Sequence, residues 1–269
     1  MFCGRLRKYN DDANCARDAQ GHGTHCASTA GGASFGVTPK AIIQSVKVLS
    51  DQGSGSWSWS YDALGWLAAG SARGVRPAVA SMSLGGPGTQ QAMKSAVDAA
   101  VNSGVVVVVA AGNSNSNACS FSPAFVPSAI TVGSTTSLDS RSSFSNYGSC
   151  TDIWAPGSNV KSASHRSDTG SATLSGTSMA CPHVSGAAAL VLSTRPDATP
   201  AAVLAELLDD SYDNALQGLK SGDTNKLLCV AEGGAPPGPA PPAPTPAPPT
   251  ECPLWCFICI TRECRGCCS

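Results

Sequence analysis

One short segment constrains the fold more than any other. Residues 104–110 read GVVVVVA, an unbroken apolar run with β-branched side chains at almost every position. A strand of this kind is buried on both faces, which is typical of the centre of a parallel sheet. Parallel strands need crossover connections, and helix-like segments alternate with further strand-like segments on either side of the run. The pattern predicts strands at 41–49, 78–84, 104–110 and 129–133, and helices at 58–70, 89–103, 177–193 and from Thr199-Pro200 onward.

Composition divides the 269 residues into three zones. Residues 1–231 are mixed and suit one α/β domain. Residues 232–250 are almost entirely Pro, Ala and Gly and predict an extended linker, up to about 50 Å long at about 3 Å per residue. Residues 251–269 form a short tail rich in cysteine.

Charge and cysteine content limit the kinds of partner and the cellular compartment that we expect. The formal net charge is −1, which gives no reason to expect a nucleic-acid partner. No segment is apolar over the length of a membrane span, and no signal peptide precedes the globular zone. The 13 cysteines favour an oxidising compartment. We therefore expect an extracellular or secretory-pathway protein whose N-terminal part is missing from this sequence.

Two strings carry the chemistry. They are Gly21-His22-Gly23-Thr24-His25 and the segment SGTSMACPH at residues 175–183. Ser178 stands where a helix begins, close to free backbone N–H groups that can stabilise an oxyanion. A serine becomes nucleophilic beside a base, and His22 is the candidate base. The remaining histidines, His25, His165 and His183, are expected to be structural.

Together these strings resemble the histidine and serine signatures of the subtilisin-like serine peptidases, most closely the proteinase K-like branch. The resemblance implies a three-layer α/β/α fold with a mostly parallel central sheet, and a serine endopeptidase of broad specificity. It makes Ser178 the nucleophile and His22 the general base. Asn113 and the Ser178 backbone N–H would form the oxyanion hole.

Further segments extend the resemblance from about residue 4 to residue 230. They imply that protein or peptide substrates lie extended between two backbone strands, with no cofactor needed for catalysis and the chain acting as a monomer. The substrate-binding residues implied are Gly53, Ser54, Gly55, Trp57, Ser83, Leu84, Gly85, Ala110, Ala111 and Gly112. Trp57 has plain packing as an equal alternative.

The chain departs from the family pattern at its start. The family order is Asp, His, Ser, and the aspartate ends a core strand about thirty residues before the histidine, whereas 21 residues precede His22 here. We do not assign the role of the family aspartate to Asp11, Asp12 or Asp18, because none of them follows a strand. We expect the N-terminal strand to be missing and its slot in the sheet to be unfilled, with poor expression and almost no activity. The alternative function is a catalytically impaired remnant that at most binds peptides.

Two other hydrolase classes fit less well. The segment 176–180 lacks the second glycine of a nucleophile elbow, and its histidine comes before its serine. A chymotrypsin-like enzyme would be all-β.

The same resemblance implies structural features. Cys119 and Cys150 would form a disulfide, and Cys26 would be a free buried thiol. Pro127, Ala129 and Asp152 would hold a structural calcium ion through two carbonyls and a carboxylate. Cys3, Cys15 and Cys229 have no partner that the sequence names. Three disulfides or lipidation stay open for the tail, whose irregular spacing and lack of His disfavour zinc.

Overall fold

A computed structural model describes residues 17–230 and the backbone of residues 258–261. Its elements, in chain order, are α1 His22–Gly31, β1 Ile42–Gln44, α2 Trp57–Ala72, β2 Ala78–Met82, β3 Gly86–Pro87, α3 Gln91–Asn102, β4 Val106–Ala110, β5 Phe121–Ser122, β6 Ile130–Thr135, β7 Ile153–Pro156, β8 Val160–Ala163, β9 Ser171–Leu174, α4 Thr177–Thr194, α5 Pro200–Asp209, β10 Tyr212–Asp213, β11 Lys226–Leu227 and β12 Ile258–Thr261.

The main sheet has the strand order β1-β12-β2-β4-β6-β7-β11-β10. Neighbours from β2 through β11 pair in parallel, while β12 and β10 pair antiparallel with their neighbours. Every residue of β4 is buried, as the valine run predicts. The α/β class and the mostly parallel sheet are confirmed.

Side chains of β4 alternate between two cores. Val106 and Val108 pack in one core with α1, α4 and α5, whereas Val107 and Val109 pack in the other with α2 and α3. A strand points successive side chains to opposite faces, so each face of the sheet is covered by its own helix layer. The result is the three-layer α/β/α arrangement.

The predicted helices form close to the expected bounds. Helix α5 starts as the sequence indicates, with the Thr199 side chain accepting a hydrogen bond from Ala202 N and Pro200 at the first helical position. None of the helices within residues 17–230 combines the length and the apolarity needed to cross a bilayer.

The structure corrects one expectation about the sheet. We expected an unfilled slot where an N-terminal strand is missing. In the described sheet β12, from the cysteine-rich tail, lies between β1 and β2 and pairs antiparallel with both, and no gap separates these neighbours. Buried backbone N–H and C=O groups must find partners, and the tail supplies them. Strand β1 ends at Gln44, which pairs with Cys259, and is therefore shorter than the strand predicted for 41–49.

Cysteine pairing in the described residues agrees with the resemblance. Cys119 and Cys150 form a disulfide with their Cα atoms 5.2 Å apart. Cys26, Cys181 and Cys229 are free thiols. The cysteines at 3 and 15, and the pairing of the tail cysteines, lie outside what the structure describes.

The pairing of β12 gives a test of the fold. Ile260→Pro removes one N–H from a strand that has a partner on each side. Strand β1 has β12 as its sheet neighbour, so amide exchange in residues 42–44 should speed up by about tenfold or more. Exchange in β6 should stay slow. Hydrogen exchange followed by mass spectrometry measures both, with Ala243→Pro in the linker as the matched control. Unchanged protection of residues 42–44 would contradict the placement of β12.

Candidate active site

The first turn of α4 fixes Ser178. Ser178 is the second residue of that helix, so the helix offers its backbone N–H no carbonyl as a hydrogen-bond acceptor. Pro182 lies four residues later and has no N–H, so the Ser178 carbonyl is also free of helical bonding. That carbonyl accepts hydrogen bonds from Ser83 Oγ at 2.8 Å and from the Cys26 thiol at 3.3 Å. Helix α4 is thereby tied to the end of β2 and to α1.

The start of α1 fixes His22. Asp18 caps this helix, with one carboxylate oxygen accepting from Gln20 N and Gly21 N and the other from Thr24 N and Thr24 Oγ1. Burial alone would raise the pKa of Asp18, but these hydrogen bonds outweigh it and lower the pKa to about 2. A permanently charged carboxylate at a helix N-terminus also suits the helix dipole.

Asp18 is therefore a cap and does not bind the His22 ring. Both oxygens of Asp18 already accept hydrogen bonds from the start of α1. The atom that lies near Nδ1 of the His22 ring is the Cys26 Sγ, at 3.9 Å. Burial lowers the pKa of His22; the negative charge of Asp18 opposes this and the nearby His25 adds to it. The imidazole is thus held neutral, the form that can accept a proton. Asp11 and Asp12 lie outside the described residues.

Asn113 presents its amide nitrogen because its oxygen is fixed. Asn113 Oδ1 accepts from Thr177 N at 2.8 Å and from Thr177 Oγ1 at 3.0 Å. Thr177 Oγ1 in turn accepts from Gly112 N at 3.1 Å. With the oxygen turned toward the helix, the two N–H donors of Asn113 are left for the cleft. Thr177 stands directly before Ser178, but its role as a partner of Asn113 was not predicted from the sequence.

Asn146 is a second positioning residue that the sequence analysis did not identify. Its side chain donates to Ala111 O at 2.8 Å and accepts from Ser114 N and Ser116 N. These bonds hold the turn that follows β4 and carries Asn113. Gly112 has φ 104°, and a Cβ there would collide with the Asn146 side chain, so this turn requires glycine. The sequence holds no local signal of this role, because the partners of Asn146 lie 30 or more residues away along the chain.

A cleft of about 450 Å³ brings these groups together. It is lined by His22, Ser178 and Asn113 and by nearly all of the predicted substrate-binding residues: Gly53, Ser54, Gly55, Trp57, Ser83, Leu84, Gly85, Ala110 and Gly112. Ala111 is the exception. It is fully buried and does not line the cleft, because its place in the turn puts it behind the wall.

Trp57 satisfies both of its interpretations. It lines the cleft and also packs against the second core, and its ring lies against Gly86.

Two of the other histidines bond to backbone carbonyls, His25 to Val160 O at 3.0 Å and His183 to Met179 O at 2.8 Å. These contacts suit structural roles.

The residues predicted to hold calcium lie at the start of β6 and β7. The described residues contain no group of three or more His, Cys, Asp or Glu side chains, so any site here would depend on backbone carbonyls. Asp152 Oδ2 accepts from Thr131 N at 2.7 Å. Burial raises the pKa of Asp152 to about 6, and the Thr131 bond lowers it only in part. A largely buried carboxylate with one hydrogen-bond donor is under-compensated, which fits a cation ligand.

Comparison with known proteins decides the family. A family model described as "Subtilase family" matches residues 4–226. The chain belongs to the subtilases. It is 48% identical over 230 residues to the extracellular serine proteinase of a Thermus species, and 49% identical over 219 residues to alkaline serine exoprotease A of Vibrio alginolyticus. It is 48% identical over 212 residues to the cuticle-degrading protease of Metarhizium anisopliae.

These matches cover 84%, 81% and 78% of this subtilase, but only 55%, 40% and 54% of the three relatives. The chain thus spans about half the length of these curated proteins. Among solved structures, a cold adapted subtilisin-like serine proteinase is similar with a TM-score of 0.74 and 51% identity, covering 78% of this chain and 75% of that one.

The burial of Asp152 predicts a pH-dependent stability. With divalent cations chelated, its carboxyl ionises near pH 6 in the folded state but near 3.8 when unfolded. Above pH 6 both states are charged and the folded state bears the full burial penalty, about 3 kcal/mol at 1.36 kcal/mol per pKa unit. As pH falls from 6 toward 4, the folded state binds the proton first and the penalty disappears.

Asp152→Asn keeps an oxygen for Thr131 N but does not titrate. Urea unfolding of both proteins across this pH window should therefore show the parent gaining about 3 kcal/mol relative to the variant as pH falls. Other titrating groups cancel in the difference. A difference that stays constant with pH would show that Asp152 is not buried as described.

Proposed function

We propose that this subtilase is a serine endopeptidase of broad specificity that acts on protein or peptide substrates. The observation that carries the proposal is the cleft itself. Its lining includes Ser178 in the first turn of α4, the neutral imidazole of His22 and the oriented side chain of Asn113, which supports this reading. No single one of these groups would by itself support a peptidase function.

In the proposed mechanism Ser178 Oγ attacks the scissile carbonyl carbon while His22 accepts its proton. The carbonyl oxygen becomes an oxyanion that accepts hydrogen bonds from Asn113 Nδ2 and the Ser178 backbone N–H. His22 then protonates the leaving amine as the C–N bond breaks, giving an acyl-enzyme. Water, deprotonated by His22, attacks the ester and releases the acid, which restores Ser178.

The cleft walls support an extended substrate. Gly53, Ser54 and Gly55 line one side, and Ser83, Leu84 and Gly85 the other. A Cβ at Gly55 would collide with the Val48 carbonyl, so backbone must run here without side chains. Such walls can pair with a peptide backbone through main-chain hydrogen bonds, which makes recognition largely independent of substrate sequence.

The proposal also covers the cellular compartment, the oligomeric state and the domain organisation. Named relatives include an extracellular proteinase, and the Cys119–Cys150 disulfide suits an oxidising compartment. We propose a secreted monomer with a peptidase domain over residues 1–231, a linker over 232–250 and a tail over 251–269. The tail would contribute β12 to the peptidase sheet.

A second candidate function is peptide binding with little or no catalysis. One specific observation favours it: among the described residues, no carboxylate accepts a hydrogen bond from His22 Nδ1. The imidazolium formed during attack would then lack the partner that stabilises it.

Calcium at Pro127, Ala129 and Asp152 is also proposed, as a structural ligand. An ion bound only by the folded state would raise stability by mass action and remove the Asp152 burial penalty. The unfolding comparison of Asp152 with Asp152→Asn then has a second arm. Added calcium should stabilise the parent and leave the variant unchanged; equal effects on both proteins would refute the site.

Covalent labelling separates the two candidate functions. A fluorophosphonate probe should modify the parent protein at Ser178, because the reaction needs an activated hydroxyl and an oxyanion hole. Labelling should vanish in Ser178→Ala and slow by about a hundredfold or more in His22→Ala. Intact-mass and peptide mass spectrometry identify the site, with Ser175→Ala as the matched control. Labelling that survives Ser178→Ala would refute the assignment, and a parent that is never labelled would favour peptide binding.

The oxyanion hole predicts a graded series. Asn113→Leu should lower kcat with little change in KM, by about a hundredfold to a thousandfold, the range established for loss of one such donor in a subtilisin. Thr177→Val removes the hydroxyl that orients Asn113, so it should lower kcat by a smaller factor. Thr177→Ser keeps that hydroxyl and should retain most activity. A rise in KM at constant kcat would instead make Asn113 a substrate-binding residue.

A further inference from the structure

The β8–β9 hairpin contacts both of the helices that carry the proposed catalytic residues. Its two strands pair antiparallel, with Val160 opposite Leu174. Strand β8 lies along α1, which begins at His22, and two residues separate the end of β9 from the start of α4, which carries Ser178. The hairpin can therefore set the position of His22 relative to Ser178.

His25 links α1 to this hairpin. Its ring atom Nε2 lies 3.0 Å from the Val160 carbonyl oxygen, and its own carbonyl accepts a hydrogen bond from Ser162 Oγ at 3.1 Å. A carbonyl can only accept, so Nε2 of His25 must carry the proton. His25 and Ser162 are both fully buried, so water does not compete with these bonds at the two side chains.

The other side of the hairpin is tied to the start of α4. Gly176 N donates to the Gly157 carbonyl at 2.8 Å, and Asn159 N donates to Ser175 Oγ at 2.9 Å. A Cβ at Gly157 would lie 2.7 Å from the Gly176 carbonyl oxygen, so the two segments meet backbone to backbone. The chain that enters β8 thereby fixes the chain that leaves β9 just before Ser178.

The ring of His25 supplies a hydrogen-bond donor and no charge. Burial lowers the pKa of His25, and hydrogen bonds to the Val160 and Ala172 carbonyls oppose this effect only in part. The ring is therefore neutral at neutral pH. A charge on His25 would lower the pKa of His22, so the neutral ring also preserves the basicity of His22. Nδ1 of His25 has no hydrogen-bond partner in the described part of the chain, which makes Nε2 the polar link.

We propose that His25 is a positioning residue for His22. Its Nε2–H bond to Val160 O holds the first turn of α1 against the β8–β9 hairpin, and so sets the place of the His22 imidazole relative to Ser178 Oγ. This role rests on the proposed function, in which His22 takes the proton of Ser178. Proton transfer requires the two groups within about 2.6–3.2 Å of each other. A misplacement of about 1 Å can cost about a hundredfold in rate.

Two substitutions separate the hydrogen bond from the bulk of the ring. His25→Phe keeps a planar ring without a donor, whereas His25→Gln keeps an N–H close to the Nε2 position. In hydrolysis of a chromogenic peptide by the full chain, His25→Phe should lower kcat by about a hundredfold with little change in KM, because the cleft walls lie on other segments. His25→Gln should retain most activity. Equal losses in the two variants, both shown to be folded by urea unfolding, would overturn the proposal.

His183→Phe is the matched control. The bond between His183 and Met179 O lies within a single helix, so its loss does not separate α1 from the hairpin. The kcat of the folded His183→Phe variant should stay close to that of the parent. A loss as large as that of His25→Phe would show that removal of any buried histidine has this effect, which would contradict the role of His25.

A double-substitution cycle tests whether His25 acts through His22. The rate of fluorophosphonate labelling at Ser178 is measured for His22→Ala and for Asn113→Leu, each in the parent and in His25→Phe. The loss caused by His22→Ala should shrink from about a hundredfold in the parent to a few-fold in His25→Phe, because a misplaced base has little left to lose. The loss caused by Asn113→Leu should be the same in both. Additive effects of His22→Ala and His25→Phe would overturn the proposal.

A measurement by nuclear magnetic resonance needs no catalysis. In Ser178→Ala, the Nε2–H proton of His25 should exchange slowly with water. The ring signals of His22 should shift in His25→Phe and return toward the parent values in His25→Gln. If these shifts appear but fluorophosphonate never labels the parent, the positioning role stands and the proposed catalysis falls. Unchanged His22 signals in a folded His25→Phe variant would overturn the positioning role.

Discussion

The site depends on one junction, where the first turn of α4 meets the ends of the central strands. Proline at position 182 releases the Ser178 carbonyl from the helix, and Ser83 Oγ and the Cys26 thiol bind it instead. Thr177 binds the side chain of Asn113 in the same turn. Because β2, β4 and α1 converge there, neighbouring contacts position Ser178, Asn113 and the helix that carries His22. Disruption of this junction would displace all three groups together.

The same convergence explains the electrostatics of the base. Burial at the junction disfavours the charged form of His22. The Asp18 carboxylate is bonded to the first turn of α1, so its negative charge offsets this effect only from a distance. A neutral imidazole accepts a proton readily, but the ion that it forms needs a counter-charge. Activation of Ser178 and stabilisation of the resulting ion are thus separate requirements, served by different sides of one ring.

Much of this could be predicted from the sequence, for physical reasons that differ by element. The valine run indicates burial on both faces, so it predicted the central strand and the α/β class directly. The assignment of His22 and Ser178 came from the resemblance of their two strings to the subtilisin signatures. Asn146 and Thr177 were missed because their roles depend on hydrogen bonds between segments distant in sequence. The pairing of β12 was missed for a similar reason. A strand only four residues long, preceded by a proline-rich segment, gives no local signal of its partner.

We propose that Ser178, His22 and Asn113 form one site on a shared frame. A crystal structure of the protein after reaction with a peptidyl phosphonate tests it most directly. We predict a bond from phosphorus to Ser178 Oγ, with the phosphonyl oxygen about 2.7–3.1 Å from both Asn113 Nδ2 and Ser178 N. The peptide should lie between the two glycine-containing cleft walls. A phosphonyl oxygen turned away from Asn113, or an adduct on another residue, would contradict it.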